Sequence, residues 1–214
     1  MSRRRLVGRL GAALMTFASL CLAVGVIWHL TAGLTLFTSE AWRRADVQTT
    51  PRQLPNVRLE DEQGEKLELG DLCGRVLVVD FVYTQCPTIC KSLGATSSQL
   101  ARQLAQRDDT ADALVVSISF DPSRDTPARL RAFRSAMESS PTGWRVLRPD
   151  DEDGLESLLR SFGVVAIDDG LGGYDHNAAL HVVDRECRLA RIVDSDNVEA
   201  ALDAVLQLAQ RQGV

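Results

Sequence analysis

One stretch of sequence decides the fold of this chain: Val76-Leu77-Val78-Val79-Asp80-Phe81-Val82, followed by Tyr83-Thr84-Gln85-Cys86-Pro87-Thr88-Ile89-Cys90. A short, continuous, β-branched apolar run such as 76–82 is typical of a strand that is buried on both faces of a sheet. Helical periodicity follows over about 91–105. The stretch therefore predicts a central strand, a turn that carries two cysteines, and a helix.

Strands and helices alternate on both sides of this stretch. The predicted strands are a hairpin of 56–59 and 66–69, then 114–120, 146–147, 178–183 and 189–193. One further predicted helix starts at Pro127, with Thr126 as its N-cap. Two more are predicted over 152–162 and 197–210. This order predicts a mixed-sheet α/β sandwich with a thioredoxin-like fold, an extra N-terminal β-hairpin and an inserted helix.

The first 45 residues differ from the rest in charge. They hold six arginines and one acid, whereas the remaining residues hold 18 basic and 28 acidic side chains, for a net charge of -5 over 214 residues. The region 10–36 has no Asp, Glu, Lys or Arg, and about 20 apolar residues suffice to cross a bilayer. We expect an uncleaved anchor with a cytoplasmic N-terminus, because the apolar region is longer than that of a signal peptide and no convincing cleavage site follows it.

The domain prediction follows from this pattern. Residues 1–9 form a basic cytoplasmic end, 10–36 a transmembrane anchor, 37–55 a tether, and 56–214 one thioredoxin-like domain outside the cytoplasm. Nucleic acid is excluded as the main partner, because binding phosphate needs a basic surface and this domain is acidic.

The chemistry is concentrated at Cys86 and Cys90. Residues four apart on a helix face the same way, so both sulfurs can close a disulfide or bind one soft metal ion. A helix N-terminus also favours thiolate over thiol. Their spacing differs from the two-residue gap of thioredoxin-like oxidoreductases, and they follow a central strand, where α/β sheets place their sites. Both points favour a metal, and a plain structural disulfide stays the alternative.

His176 is the candidate third ligand. It opens the strand 178–183, which should run antiparallel to 76–82, so His176 is expected at the sheet end that carries Cys86. Two thiolates and one imidazole suit copper, Cu(I) above all, whereas zinc would want a fourth ligand. His181, five residues further on, is expected on the opposite face in a structural role.

Four further side chains have candidate roles. Asp121 ends a strand parallel to 76–82, so its carboxylate either lies near the sulfurs or caps the turn at Pro122. Arg124 can pair with Asp121, with Asp125 or with an acidic partner. Cys73 and Cys187 are both expected at the opposite sheet end, where they form either a second, structural disulfide or two free thiols.

Three segments resemble the Sco/SenC family. They are Val79-Asp80-Phe81-Val82-Tyr83-Thr84-Gln85-Cys86-Pro87-Thr88-Ile89-Cys90, then Ser117-Ile118-Ser119-Phe120-Asp121-Pro122-Ser123-Arg124-Asp125-Thr126-Pro127, then Asp175-His176. The resemblance implies a copper protein of cytochrome c oxidase assembly, with a thioredoxin-like domain on a membrane anchor. It implies copper ligands at Cys86, Cys90 and His176, with the segment 121–127 as the neighbouring rim.

The same resemblance implies partners and a location. The partners would be the copper-site subunit of the oxidase or another copper chaperone, and the copper would be Cu(I) and also Cu(II). The location would be a bacterial inner membrane, crossed once, with the domain in the periplasm.

Two functions stay open. The first is a metallochaperone without turnover, and the second is a thiol–disulfide reductase that keeps exported cysteines reduced. Lys91 stands where the family commonly has proline, and Cys73 and Cys187 are not general in the family, which leaves room for a redox role. His176 favours the metallochaperone, since a dithiol reductase has no need of it.

Overall fold

The computed structural model describes residues 3–31, 33, 38–86, 89–110, 112–137, 142–170 and 172–210. The chain divides into two compact units, Met1–Ala45 and Asp46–Val214. In the first unit, helix α1 spans Arg3–Leu30, and its segment Ala13–Leu30 has a mean hydropathy of 1.9. By length and composition this helix can cross a membrane. The end of the predicted anchor at 34–36 lies outside the described residues.

The predicted tether 37–55 has regular structure over much of its described length, which the sequence analysis does not predict. Helix α2 covers Ser39–Thr49, and strand β1 covers Arg52–Gln53. Glu40 pairs with Arg43 and Arg44, three and four residues later, which is the spacing that stabilises a helix. The polar composition conceals this helix, since Val47 is its one buried residue among those described.

The second unit contains nine further strands and four further helices among the described residues. The strands are β2 (Arg58–Asp61), β3 (Lys66–Glu68), β4 (Leu77–Val82), β5 (Leu114–Ser119), β6 (Trp144–Pro149), β7 (Ala166–Asp168), β8 (Tyr174–His176), β9 (Ala179–Val183) and β10 (Arg188–Asp194). The helices are α3 (Ile89–Ala105), α4 (Pro127–Ser135), α5 (Glu152–Phe162) and α6 (Val198–Gln210).

Eight strands form one mixed sheet in the order β1-β10-β9-β4-β5-β6-β2-β3. The pairs β4–β5 and β5–β6 are parallel, and the other neighbours are antiparallel. All six residues of β4 and of β5 are buried, as the continuous apolar runs predict. Strands β7 and β8 pair with each other in a separate two-stranded sheet.

Helices cover both faces of the large sheet. On one face, Phe162 of α5 packs against Phe81 and His181, with ring centroids 5.1 and 5.2 Å apart. On the other face, α3 packs against β4, β5 and α6. The predicted thioredoxin-like sandwich with an extra N-terminal hairpin is confirmed. His181 is buried in the core near the Val79 carbonyl, as expected of a structural histidine.

Local signals in the sequence set the helix ends. Thr126 accepts a hydrogen bond from the Arg129 amide and Pro127 is the first residue of α4, as predicted. Asp151 caps α5, which ends at Gly163 with a left-handed φ of 67°. Glycine adopts that conformation at no steric cost, so α5 stops there.

Candidate metal centre

Cys86 lies in the connection between β4 and α3, and Cys90 lies in the first turn of α3. Cys86 is 7 % exposed and Cys90 is fully buried, and neither is in a disulfide. The Cys90 amide donates a hydrogen bond to the Cys86 sulfur at 3.3 Å, which holds the two residues side by side. The helix begins at Ile89, slightly earlier than the predicted start near Lys91. Residues 87 and 88 lie outside the described part of the chain.

His176 approaches the pair from a different element than predicted. It belongs to β8, not to the start of β9, and β8 is the second strand of a hairpin with β7. Its Nε2 lies 4.0 Å from the Cys90 sulfur. Its Nδ1 is buried and has no hydrogen-bond partner among the described residues. The predicted placement at the Cys86 end of the sheet nevertheless holds, because β9 runs antiparallel to β4.

Three aromatic rings form a cluster beside His176. The Phe120 ring lies 5.0 Å from the His176 ring, and Tyr83 and Tyr174 lie 5.3 Å from Phe120. The Tyr83 hydroxyl accepts a hydrogen bond from the Tyr174 amide. The Phe120 ring therefore covers part of the imidazole with apolar surface.

Burial sets the protonation states of the site. Desolvation lowers the pKa of His176, so its imidazole is neutral at pH 7 and has a lone pair to offer. Desolvation raises the pKa of the Cys90 thiol, and the Cys86 and Asp80 side chains raise it further. The expected stabilisation of thiolate by the helix N-terminus is therefore outweighed at Cys90. A metal ion must displace the Cys90 proton to gain that ligand.

Asp80 is a buried carboxyl that the sequence analysis missed. It is fully buried in β4 and accepts a hydrogen bond from the Ser117 hydroxyl at 2.6 Å. Desolvation raises its pKa to about 7. The available signal was a lone acid inside an otherwise apolar strand, where a carboxylate is costly to bury.

The rim segment 121–127 carries Asp121 and Arg124, which contact each other. Asp121 is buried, pairs with Arg124 and accepts a hydrogen bond from Ser123, so it caps its own turn. Arg124 also donates to the Gly172 carbonyl at 2.8 Å. The sequence analysis gave no role to Asp125, which is fully buried and accepts three hydrogen bonds from Thr84 and Ser119.

Cys73 and Cys187 lie at the opposite end of the sheet. A disulfide joins them, with their Cα atoms 5.5 Å apart. Cys187 sits in the β9–β10 turn with a positive φ of 60°. Backbone hydrogen bonds from Gly74 to Arg185 and from Leu54 to Cys187 reinforce this end.

The donor set at the other end suits a soft metal ion. Sulfur and imidazole ligands of zinc lie about 2.3 and 2.0 Å from the metal, so two ligands of one ion are at most about 4.3 Å apart. The 4.0 Å between Cys90 and His176 is within that limit. Within the described ranges, no three His, Cys, Asp or Glu side chains are already gathered around one point. Binding of one ion by Cys86, Cys90 and His176 would therefore require these side chains to come closer together.

Comparison with known proteins identifies the family of this chain. The sequence matches the SCO1/SenC family over residues 46–210. The SCO1 protein homolog of Bacillus subtilis (strain 168) is 27 % identical over 161 residues, which cover 74 % of this chain and 82 % of that protein. The structure of Bradyrhizobium japonicum ScoI with copper bound is 24 % identical, with a TM-score of 0.59, and the match covers 72 % of this chain and 99 % of that one.

A further structure is that of BsSco, described as a member of the Sco family of cytochrome c oxidase assembly proteins with a disulfide switch. It is 21 % identical, with a TM-score of 0.66, over 75 % of this chain and 95 % of that one. The fold, the order of the motifs and the family match agree. This chain belongs to the SCO1/SenC family.

Proposed function

We propose that this chain is a membrane-attached copper-binding protein that delivers copper to a respiratory cytochrome c oxidase, or helps to assemble its copper site. The observation that carries the proposal is the convergence of Cys86, Cys90 and His176 at one end of the sheet. Two relatives support it: the ScoI structure holds copper, and BsSco is described as an oxidase assembly protein. Copper is the cargo of this site.

The chemistry of the three side chains fits that cargo. Soft sulfur ligands select Cu(I), and a neutral imidazole suits both copper states. Binding releases thiol protons, because thiolate is the ligand form. Cys86 is the more exposed sulfur, so a thiolate of the acceptor would displace it first and Cys90 afterwards. The expected partners are a copper-site subunit of the oxidase or another copper chaperone.

The proposed location follows from α1. Arginines precede the apolar segment Ala13–Leu30, which supports a cytoplasmic N-terminus; the domain would then lie in the periplasm, anchored in a bacterial inner membrane. Protease treatment of spheroplasts should degrade the domain, and the mass of the purified protein should include the N-terminal helix. A mature N-terminus after residue 30 would identify a cleaved signal instead.

A thiol–disulfide reductase is the second candidate. Its support is the adjacent pair Cys86 and Cys90, neither of which is in a disulfide, together with the disulfide switch described for BsSco. The Cys86 thiolate would attack a target disulfide, and Cys90 would resolve the mixed disulfide. Two electrons and two protons pass to the target, and the pair is left oxidised. A dithiol reductant must then restore it.

Copper retention separates the two functions. The full chain in detergent, reduced and loaded with Cu(I), is dialysed against a chelator of moderate affinity. We expect one copper per wild-type chain, none in C86S or C90S, and affinity lower by about 100-fold or more in H176A. C21A and H29A are matched controls, since they remove the same residue types from α1 and should retain copper.

The outcome decides between the candidates. A wild-type chain that retains no copper contradicts the copper proposal. If that chain also reduces a disulfide substrate and H176A reduces it equally fast, the reductase is the function.

A further inference from the structure

The turn between β5 and α4 grips both segments that carry the candidate copper ligands. Two consecutive residues of this turn do so, Arg124 and Asp125. Neither is a candidate ligand. Arg124 contacts Tyr174, which lies two positions before His176. Asp125 contacts Thr84, which lies two positions before Cys86.

Asp125 holds the segment that leads to Cys86. Its carboxylate accepts hydrogen bonds from the Thr84 amide at 3.0 Å and from the Thr84 hydroxyl at 2.5 Å. The Ser119 hydroxyl, at the end of β5, donates a third at 2.6 Å. Asp125 is fully buried, and hydrogen bonds to a buried carboxylate are among the stronger ones in proteins. The exit of β4 is thereby fixed to the neighbouring strand.

Arg124 holds the hairpin that carries His176. Its Nη1 donates to the Gly172 carbonyl at 2.8 Å, and its guanidinium lies 5.4 Å from the centre of the Tyr174 ring. Its Nε pairs with Asp121, which is 3 % exposed and keeps the guanidinium in place. Planar geometry allows arginine to hydrogen-bond and stack at the same time.

The hairpin depends on such contacts. Strands β7 and β8 pair with each other and form no ladder with the eight-stranded sheet. At its base, Asn177 bonds the Val165 amide and the Gly163 carbonyl. Near its tip, the Arg124 hydrogen bond reaches Gly172, which has a φ of 90°.

We propose that Arg124 and Asp125 are positioning residues that together set the distance between the cysteine pair and His176. The inference rests on the proposed copper function for its purpose, and its geometry holds without the metal. The turn is hydrogen-bonded to both ligand segments, so it would keep His176 beside the sulfurs of Cys86 and Cys90 both with and without bound copper.

The first test compares R124M with R145M in the full chain in detergent. Arg145 is a matched control, because it is 31 % exposed and pairs with Asp61, which is 2 % exposed, while Arg124 is 32 % exposed. Hydrogen exchange of the peptide 166–176 is measured without copper. We expect R124M to accelerate this exchange about tenfold and R145M to leave it unchanged, because Arg124 donates a hydrogen bond to the hairpin whereas Arg145 pairs with Asp61.

The second readout is the copper site. In Cu(II)-loaded R124M, the nitrogen coupling of the imidazole in the electron paramagnetic resonance spectrum should be weaker than in wild type but not absent, as it is in H176A. Affinity should fall about tenfold, as is usual when a group that orients a ligand is removed. R124K should show intermediate coupling, because lysine can pair with Asp121 but cannot also stack on Tyr174.

Asp125 is tested with D125N and T84V. Asparagine can accept from the Thr84 amide and donate to its hydroxyl, so D125N should keep the affinity within about threefold. T84V removes the hydroxyl donor and should accelerate exchange of the peptide 83–86. T84V removes one of these hydrogen bonds without removing the buried Asp125 carboxylate.

Each outcome bears on one proposal. Wild-type exchange in R124M, or equal acceleration in R145M, overturns the positioning role. A wild-type chain without copper contradicts the proposed function alone, because the exchange experiment needs no metal. Wild-type exchange at 83–86 in T84V overturns the role of Asp125.

Discussion

Removing the Cys73–Cys187 disulfide should destabilise the domain without weakening copper binding. The bridge links residues 114 apart in the sequence. By the chain-entropy model, closing a loop of this size stabilises the fold by about 5 kcal/mol, and measured values for disulfides are usually about 2–4 kcal/mol. The bridge lies at the far end of β4, whose six residues separate it from the metal site by about 20 Å.

The replacement chosen for Cys187 should change the result. Its φ of 60° is unfavourable for a residue with a Cβ and neutral for glycine. We therefore expect C73A/C187G to be more stable than C73A/C187A by about 1 kcal/mol.

Urea unfolding measures both effects. In a W28F/W42F background, Trp144 is the one remaining tryptophan of the chain and reports on the core. Alkylation of the unfolded, unreduced protein should leave Cys73 and Cys187 unmodified. A loss below about 1 kcal/mol in C73A/C187A would refute the loop-closure reasoning. A coincident loss of copper would refute the separation of the two ends.

Two further predictions concern stability. Because the pKa of Asp80 is raised to about 7 from 3.8, the folded state binds more protons between these pH values, and stability falls as pH rises through them. D80N should therefore be more stable than wild type at pH 8, by up to about 4 kcal/mol, and equally stable near pH 3. Urea unfolding at several pH values measures this difference. Free energies of unfolding that change in parallel with pH in the two proteins would contradict the prediction. D151A should lose about 1 kcal/mol, because Asp151 accepts the Gly154 amide at 2.7 Å as the cap of α5. The control D150A, which removes the partner of the exposed Lys66 side chain, should lose less in the same urea titrations, and an equal loss would mean that the cap adds nothing.

The central fold was predictable because its strands are long, apolar and separated by clear helix signals. Strands β4 and β5 are continuous buried runs, and Thr126-Pro127 marks the start of α4. Helix α2 was missed because it is polar and buries little. The β7–β8 hairpin was missed because three-residue strands have no readable alternation.

The site was predictable at the level of residue types. Two cysteines four residues apart at the end of a strand predict a disulfide or a site for a soft metal ion. The predicted strand direction was enough to assign His176 to the same end of the sheet. The positioning contacts were not predictable, because they join segments that are distant in sequence. Arg124 reaches Gly172 and Asp125 reaches Thr84 only after the sheet has formed.

X-ray absorption of the Cu(I)-loaded protein shows directly which atoms bind the copper. We expect two sulfur ligands and one imidazole nitrogen in wild type, and two sulfurs without that nitrogen in H176A. Copper bound without sulfur, or an unchanged nitrogen shell in H176A, would contradict a site made of Cys86, Cys90 and His176.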